Sequence, residues 1–160
     1  MDFTGIDKEA LLKTVNQAMV AAVPFNTAIG LRAVDCDHGV ATTTLAWKDD
    51  LVGNPETGVL HGGAVTAMMD ATCGLAVFMK MPAPVRIATL DLRIDYLKPA
   101  TPPKEVRCRA ECYKLTRQVA FVRALAFHDD PSDAIASAAG TFMIFEEGKS
   151  PVAQAMKKSP

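Results

Sequence analysis

The sequence has 160 residues, of which 49% are hydrophobic and 22% are charged, and its formal net charge is -1. This length suits one domain, and the composition is typical of a soluble globular protein. The charge balance argues against a nucleic-acid partner, and no apolar run approaches the roughly 20 residues that a membrane-inserted helix needs. Because the first residues, Met1–Thr4, are acidic where a signal peptide would be basic, we expect a cytoplasmic protein.

The first predicted element is an N-terminal helix. Apolar residues recur at helical spacing from Ile6 to Val23, and Pro24 is expected to end the helix. Residues 1–23 should therefore form one helix that packs on the main domain. Two short strands, a turn-rich loop over 49–58 and a long helix follow, and the predicted strands span about Ala28–Cys36 and Val40–Trp47.

The long helix is predicted from Gly62 to about Met79. This stretch has no proline and no strand alternation, and it is apolar nearly all round, which is typical of a buried helix. Four long strands are predicted after it, at about Arg86–Leu97, Glu105–Leu115, Val119–His128 and Ala134–Phe145. Residues 146–160 have no periodicity, and we expect a flexible C-terminal tail.

These elements predict an α+β fold in which a curved antiparallel sheet wraps one long central helix, with an extra N-terminal helix. The domain should span residues 24–145. The open edges of such a small sheet favour pairing with a second copy, so we expect a homo-oligomer, either a dimer or a tetramer.

The four cysteines are predicted to be reduced, mostly buried thiols. Cys108 and Cys112 are spaced like a disulfide or metal pair, but their surroundings alternate as in a half-buried strand. Four residues along a strand span about 13 Å, whereas a disulfide needs Cα atoms closer than about 7 Å. The same distance excludes shared metal ligation, and no metal site is predicted.

Several residues in and before the first half of the long helix do not suit an ordinary apolar core: Asn54, His61, Gly62, Gly63 and Asp70. The two glycines allow close approach to unpaired N–H donors at the positive end of the helix dipole, which suits a developing oxyanion. An aspartate inside an apolar helix is costly unless it is paired or functional. The plainer alternatives are that the glycines only begin the helix and that Asp70 faces the surface.

The spacing of Gly62 and Asp70 has a geometric consequence. Eight residues along one helix span about 12 Å. An oxyanion donor and a base or nucleophile must each lie about 3 Å from the reacting centre. If both residues act on one substrate, Asp70 must therefore come from a second chain, and the site is predicted to be intersubunit.

The run Asn54–Ala64, followed by Met68–Ala71, resembles the signature of hotdog-fold acyl-CoA thioesterases. The similarity is greatest to the phenylacetyl-CoA thioesterase-like branch of the 4-hydroxybenzoyl-CoA thioesterase superfamily. Its most specific feature is the HGG motif, His61–Gly63, with an acidic residue nine positions after the histidine. The resemblance extends over about Pro24–Phe145 and implies the hotdog fold.

The resemblance also implies roles for five residues. Asp70 would be the general base or nucleophile at the thioester carbonyl, and the Gly62 backbone N–H would donate to the oxyanion. Asn54 and His61 would position the substrate carbonyl and the loop, and Thr89 would hold the attacking water. The implied reaction needs neither a metal nor a redox cofactor.

Two of these assignments have an alternative. His61 is a second candidate for the catalytic base because histidine is the usual acid–base residue near neutral pH, although its position before the helix favours a bond to loop backbone. Thr89 shares strand parity with Asp91 and Arg93, opposite Leu90 and its apolar neighbours Leu92 and Ile94. It can face the helix only if a bulge re-aims it or the subunit interface lies there.

Candidate substrate-binding residues complete the prediction. Gly63 lies in the motif, and Met69 is a candidate for the acyl pocket, although most helix methionines are simply core. Lys98, Lys114 and Arg117 are candidates for the CoA phosphates, with a solvated strand end as the equal alternative. Two other functions stay open: a non-catalytic acyl-CoA-binding hotdog module, and a hotdog hydratase, whose Asp/His arrangement is not found here.

Overall fold

The computed structural model describes residues 7–83 and 85–145. Helix α1 spans Lys8–Val15 and continues into one π-helical turn over Asn16–Val20. The Asn16 side chain bonds both the carbonyl, at 2.8 Å, and the amide, at 2.9 Å, of Ala33 in the first strand. These two bonds dock the N-terminal helical segment on the edge of the sheet.

The first helical segment ends at Val20, before Pro24, but the strand predicted from Ala28 was wrong. Pro24 is itself the first residue of a second helix, α2, Pro24–Ile29, and Ala28 lies inside that helix. Proline is well suited to a first helical position because its N–H would be unpaired there and its fixed φ is helical. Gly30, with φ of 78°, ends α2 in the left-handed conformation that favours glycine.

The sheet has the predicted antiparallel character. Within the described residues, six strands pair in the order β1-β2-β6-β7-β8-β5, and every neighbouring pair is antiparallel. The bounds of the long strands agree with the prediction to within two residues. The strands are β1 Leu31–Asp37, β2 Val40–Leu45, β5 Arg86–Tyr96, β6 Val106–Leu115, β7 Val119–Phe127 and β8 Ala136–Phe145.

The predicted turn-rich loop contains two small elements. A 3-10 turn over Asp49–Leu51 leads into a two-stranded ribbon formed by β3, Val52–Asn54, and β4, Val59–Leu60. This ribbon brings the chain to the start of the central helix.

Helix α3, Gly62–Lys80, lies in the curve of the sheet and packs mainly on β2, β6 and β7. By length and composition this helix is apolar enough to cross a membrane, contrary to the expectation from sequence. However, 56% of that stretch is buried within the protein, as in the core helix of a globular fold. Its fully buried residues are Met68, Met69, Thr72, Cys73, Ala76 and Val77. The predicted hotdog architecture is confirmed.

The edge strand β5 contains a β-bulge. Thr89 pairs with Phe142 of β8 and Asp91 pairs with Thr141, so Leu90 is the extra residue. One extra residue reverses the alternation of side chains along a strand. Thr89 therefore faces the helix before the bulge and Leu92 packs against the core after it, while Leu90 is 53% exposed.

The cysteines agree with the prediction. All four are buried and none forms a disulfide, and Cys108 and Cys112 both lie on β6. Burial raises the pKa of the Cys36 thiol to about 11 and that of Cys108 to about 12. Because the thiolate is the nucleophilic form, these two residues are poor nucleophiles at neutral pH.

Candidate active site

Asp70 lies in the middle of α3, half-buried, and faces the edge strand β5. Its Oδ1 accepts a hydrogen bond from the Thr89 hydroxyl at 2.9 Å. The bulge at Leu90 allows this contact. A bulge was one of the two conditions under which the sequence pattern allowed Thr89 to face the helix. Asp70 and Thr89 thus form a polar pair between helix and sheet.

A cavity of about 430 Å³ opens beside this pair. Its walls come from α2, α3 and strands of the sheet, and they are mostly apolar: Val23, Phe25, Leu75, Phe78, Ile87 and Phe142 are among the lining residues. Such a volume and such a lining, with a few polar groups, are typical of small-molecule sites. Asp70 therefore presents a carboxylate at the wall of an apolar cavity.

His61 shapes the first turn of α3. Its Nδ1 accepts a hydrogen bond from the Gly63 amide at 2.9 Å, and its carbonyl accepts from the Ala64 amide at 2.9 Å. The His61 ring therefore bonds a backbone amide through Nδ1. A bond to backbone is the contact that the sequence analysis favoured for this residue over a role as base. The Gly63 amide is thereby occupied by a bond within the chain, and a contact of Gly63 with substrate stays a prediction from the sequence.

The Gly62 amide differs from its neighbours. Among the described residues it has no hydrogen-bond acceptor, and it lies at the positive end of the helix dipole. One backbone donor is therefore available at this end of α3. This is the property that the predicted role of Gly62 requires.

Tyr96 is a site residue that the sequence analysis missed. Its hydroxyl donates to the Gly62 carbonyl at 2.8 Å and lies 2.6 Å from the Thr66 hydroxyl. Tyr96 has the strand parity of Leu92 and Ile94, which both pack against the core. That apolar parity was the available signal that Tyr96 faces the helix.

Gly62 and Asp70 border different cavities. Gly62, Tyr96 and Lys98 line a groove of about 350 Å³, whereas Asp70 and Thr89 line the larger cavity described above. Among the described residues, the two cavities share no lining residue. One chain alone therefore presents the carboxylate and the free amide to separate spaces.

Two predicted residues have structural contacts instead of contacts with the cavity. Asn54, at the end of β3, accepts from the Glu56 amide at 2.9 Å through its Oδ1, and so stabilises the turn before the helix. Met69 is fully buried and is not among the residues that line the cavity next to Asp70. Because its side of α3 is covered by the sheet, Met69 belongs to the core, which corrects its assignment to the acyl pocket.

The three predicted cations lie at different places. Lys98 borders the groove of Gly62 and forms an ion pair with Asp133. Lys114 is exposed near the end of β6, and Arg117 is exposed in the turn between β6 and β7. The structure therefore brings Lys98, but neither Lys114 nor Arg117, to the groove of Gly62.

The fold and the site together define a hotdog protein with a helix-borne carboxylate at an apolar cavity. A sequence model of the thioesterase superfamily matches residues 57–135, which include Gly62, Asp70 and Thr89. The chain belongs to the thioesterase superfamily and is a thioester hydrolase.

The chain is also similar to individual proteins. The chain is 28% identical to the medium/long-chain acyl-CoA thioesterase YigI of Salmonella typhimurium, over 85% of this chain and 95% of the relative. It is 41% identical to a Pseudomonas aeruginosa protein of known structure, with a TM-score of 0.75, over 83% and 98% of the two chains. A mutant of the phenylacetic acid degradation protein PaaI from Thermus thermophilus is 25% identical, with a TM-score of 0.67, over 77% and 100%.

Proposed function

We propose that the protein hydrolyses acyl-CoA thioesters to a free acid and CoA, with Asp70 as general base or nucleophile. The observation that carries this proposal is the hydrogen bond from Thr89 to Asp70 at the wall of an apolar cavity. The acyl-CoA thioesterase YigI, which resembles this chain over most of its length, supports the choice of substrate class. The cytoplasmic location and a reaction without a cofactor stay predictions from the sequence.

The contacts of Asp70 suit the activation of water. Thr89 occupies Oδ1, which leaves Oδ2 to accept a proton from a water molecule. The water oxygen then attacks the thioester carbonyl carbon, and the carbonyl oxygen becomes an oxyanion that an N–H donor stabilises. Collapse of this intermediate breaks the carbon–sulfur bond, and the CoA sulfur takes the proton back from Asp70. As a nucleophile, Asp70 would instead attack the carbonyl carbon and displace the CoA thiolate, which leaves a mixed anhydride. Water would then hydrolyse the anhydride to the free acid and the Asp70 carboxylate, and the proton released would go to the CoA thiolate.

The proposed site takes Asp70 from one chain and the Gly62 amide from a second chain. Both residues lie on helix α3, about 12 Å apart along its axis. They border separate cavities. Strand β5, on the open edge of the sheet, carries exposed Leu90 and is followed directly by exposed Leu97. An open edge with apolar side chains favours pairing with another copy, as a dimer or as part of a tetramer.

The cavity beside Asp70 is the proposed acyl pocket. Along α3 its lining runs from Ala67 to Phe78, and the part beyond Asp70 is about 12 Å long at 1.5 Å per residue. An extended alkyl chain advances about 1.3 Å per carbon, given carbon–carbon bonds near 1.5 Å. The pocket therefore suits an acyl chain of medium length.

Lys98 is the cation that we assign to the CoA part of the substrate. It borders the groove of Gly62, and its ammonium group pairs with Asp133 at the surface. A CoA phosphate is a stronger anion than this carboxylate and would take its place as the partner of Lys98. The roles of Lys114 and Arg117 stay predictions from the sequence.

The experiment that tests the function is thiol release from a panel of acyl-CoA esters, from butanoyl-CoA to hexadecanoyl-CoA. Release of one CoA per acid formed, with a maximum at medium chain length, is the expected result. Binding of acyl-CoA in equilibrium dialysis without thiol release would show a non-catalytic binding module and contradict the proposal.

A further inference from the structure

The peptide group between Gly62 and Gly63 is held at both ends. Its carbonyl accepts the Tyr96 hydroxyl at 2.8 Å, and its N–H donates to His61 Nδ1 at 2.9 Å. A peptide group is planar, so two opposed bonds fix its orientation. Glycine has the widest range of backbone conformations and loses the most freedom when it is ordered. Two glycines in succession therefore need contacts such as these two hydrogen bonds to hold one conformation.

The hydrogens of this contact can be assigned. A phenol has one hydrogen, and the Gly62 carbonyl can only accept, so the Tyr96 hydrogen lies in that bond. The Thr66 hydroxyl, 2.6 Å from the phenol oxygen, must then be the donor to Tyr96. Tyr96 therefore joins the edge strand β5 to the first turns of α3 at two points.

We propose that Tyr96 is a positioning residue that fixes the direction of the Gly62 amide. This inference rests on the proposed function, in which that amide is the oxyanion donor. The donor must lie about 2.7–3.1 Å from the oxyanion, and a small rotation of the backbone at Gly62 would lose this distance. The carbonyl on the other side of Gly62 is the point at which Tyr96 prevents that rotation.

The Tyr96→Phe variant of the full chain tests the inference because it removes only the hydroxyl. With the acyl-CoA that the wild type cleaves best, we expect kcat to fall about tenfold, short of the roughly 10²–10³-fold cost of deleting an oxyanion donor. KM should stay within about twofold, since the lost bond acts on the transition state more than on the bound substrate.

Tyr113→Phe is the matched control. Tyr113 is the other tyrosine of the chain and is 53% exposed, against 52% for Tyr96. Its ring contacts Phe121 and Arg123, but its hydroxyl has no hydrogen-bond partner within the part of the chain that the structure describes. Loss of this hydroxyl should leave kcat unchanged.

Thr66 gives a second and independent test. Thr66→Ala removes the donor to the phenol and should lower kcat, while Thr66→Ser keeps a hydroxyl and should recover most of that loss. Because Thr66 acts through Tyr96, the double variant of Thr66→Ala and Tyr96→Phe should be no slower than Tyr96→Phe alone. These variants also decide the matter if circular dichroism shows that Tyr96→Phe does not fold.

The outcomes separate the two proposals. A wild-type protein that cleaves no acyl-CoA ends the proposed function, and the role of Tyr96 ends with it. An active wild type with unchanged kcat in Tyr96→Phe overturns the positioning role alone. A variant in which KM rises while kcat holds also overturns it, because Tyr96 would then bind substrate directly.

Discussion

The Thr89 hydroxyl donates to the Asp70 carboxylate at 2.9 Å, across the gap between the edge strand and the central helix. The bond occupies one carboxylate oxygen and restrains the side chain of Asp70. The second oxygen is left to act on a molecule in the cavity. The geometry of the pair makes both residues open to test by substitution.

Asp70→Asn should lower kcat by about 10²–10⁴-fold, the usual contribution of a general base. Asparagine is close in size and keeps an oxygen that can accept from Thr89, so the fold should be retained. Asp91→Asn, which changes an exposed carboxylate next to the bulge, is the control and should leave kcat near the wild-type value. If Asp70→Asn keeps more than about a third of wild-type kcat, Asp70 has no role as a base.

Thr89→Val should lower kcat about tenfold, which corresponds to about 1.4 kcal/mol of barrier and is near the lower end for a hydrogen bond to a charged group. Valine has nearly the same shape, so the change isolates the hydroxyl. Thr89→Ser restores the donor and should restore most of kcat. Equal rates for the valine and serine variants would show that the hydrogen bond does not contribute.

Phe25 should influence acyl-chain preference because it lines the cavity from α2 and is 60% exposed. Phe25→Ala should shift the maximum of kcat/KM to longer acyl chains, and Phe25→Trp should shift it to shorter ones. Val34→Ala, at an exposed position on β1 that does not line the cavity, is the control. A profile over acyl-CoA lengths that is the same in all four proteins, wild type included, would place the acyl chain elsewhere.

The long elements could be predicted from the sequence because their patterns are sustained. The four long strands were predicted to within two residues, since burial of one face imposes an alternation over nine residues or more. The central helix was predicted equally well because a long stretch without proline that is apolar nearly all round suits a buried helix. Pro24 shows where a local rule fails. The same residue can follow one helix or begin the next, and only the packing of α2 against α3 decides between them.

The site could be predicted only in part. The motif identified Gly62 and Asp70, but the contact of Thr89 depends on a bulge at Leu90 that its neighbours in sequence do not reveal. The bulge is defined by pairing with β8, which is distant in the chain. Met69 was misassigned for a related reason, because a helix that is apolar all round does not show which of its faces borders a cavity.

A subunit-mixing experiment tests whether Gly62 and Asp70 act from different chains. Gly62→Pro removes the proposed oxyanion donor, and Asp70→Asn removes the base, so each variant alone should be nearly inactive. Proline suits this first helical position, where the amide has no acceptor and His61 already has an extended conformation. An added Cβ would lie 3.2 Å from the Tyr96 hydroxyl, which requires only a small movement of that half-exposed side chain. Circular dichroism and sedimentation should confirm a folded oligomer before activity is measured.

Co-expression of the two variants should restore activity. In a symmetric dimer, one site of each heterodimer carries both lesions and the other pairs an intact Gly62 with an intact Asp70 from the partner chain. Random pairing makes about half of the dimers heterodimers, each with one working site of two, so roughly a quarter of wild-type activity should return. A mixture of Asp70→Asn with wild type controls for expression and exchange. If the folded mixture of the two variants is as inactive as its parents, Gly62 and Asp70 belong to the same chain within each site, and the intersubunit proposal is wrong.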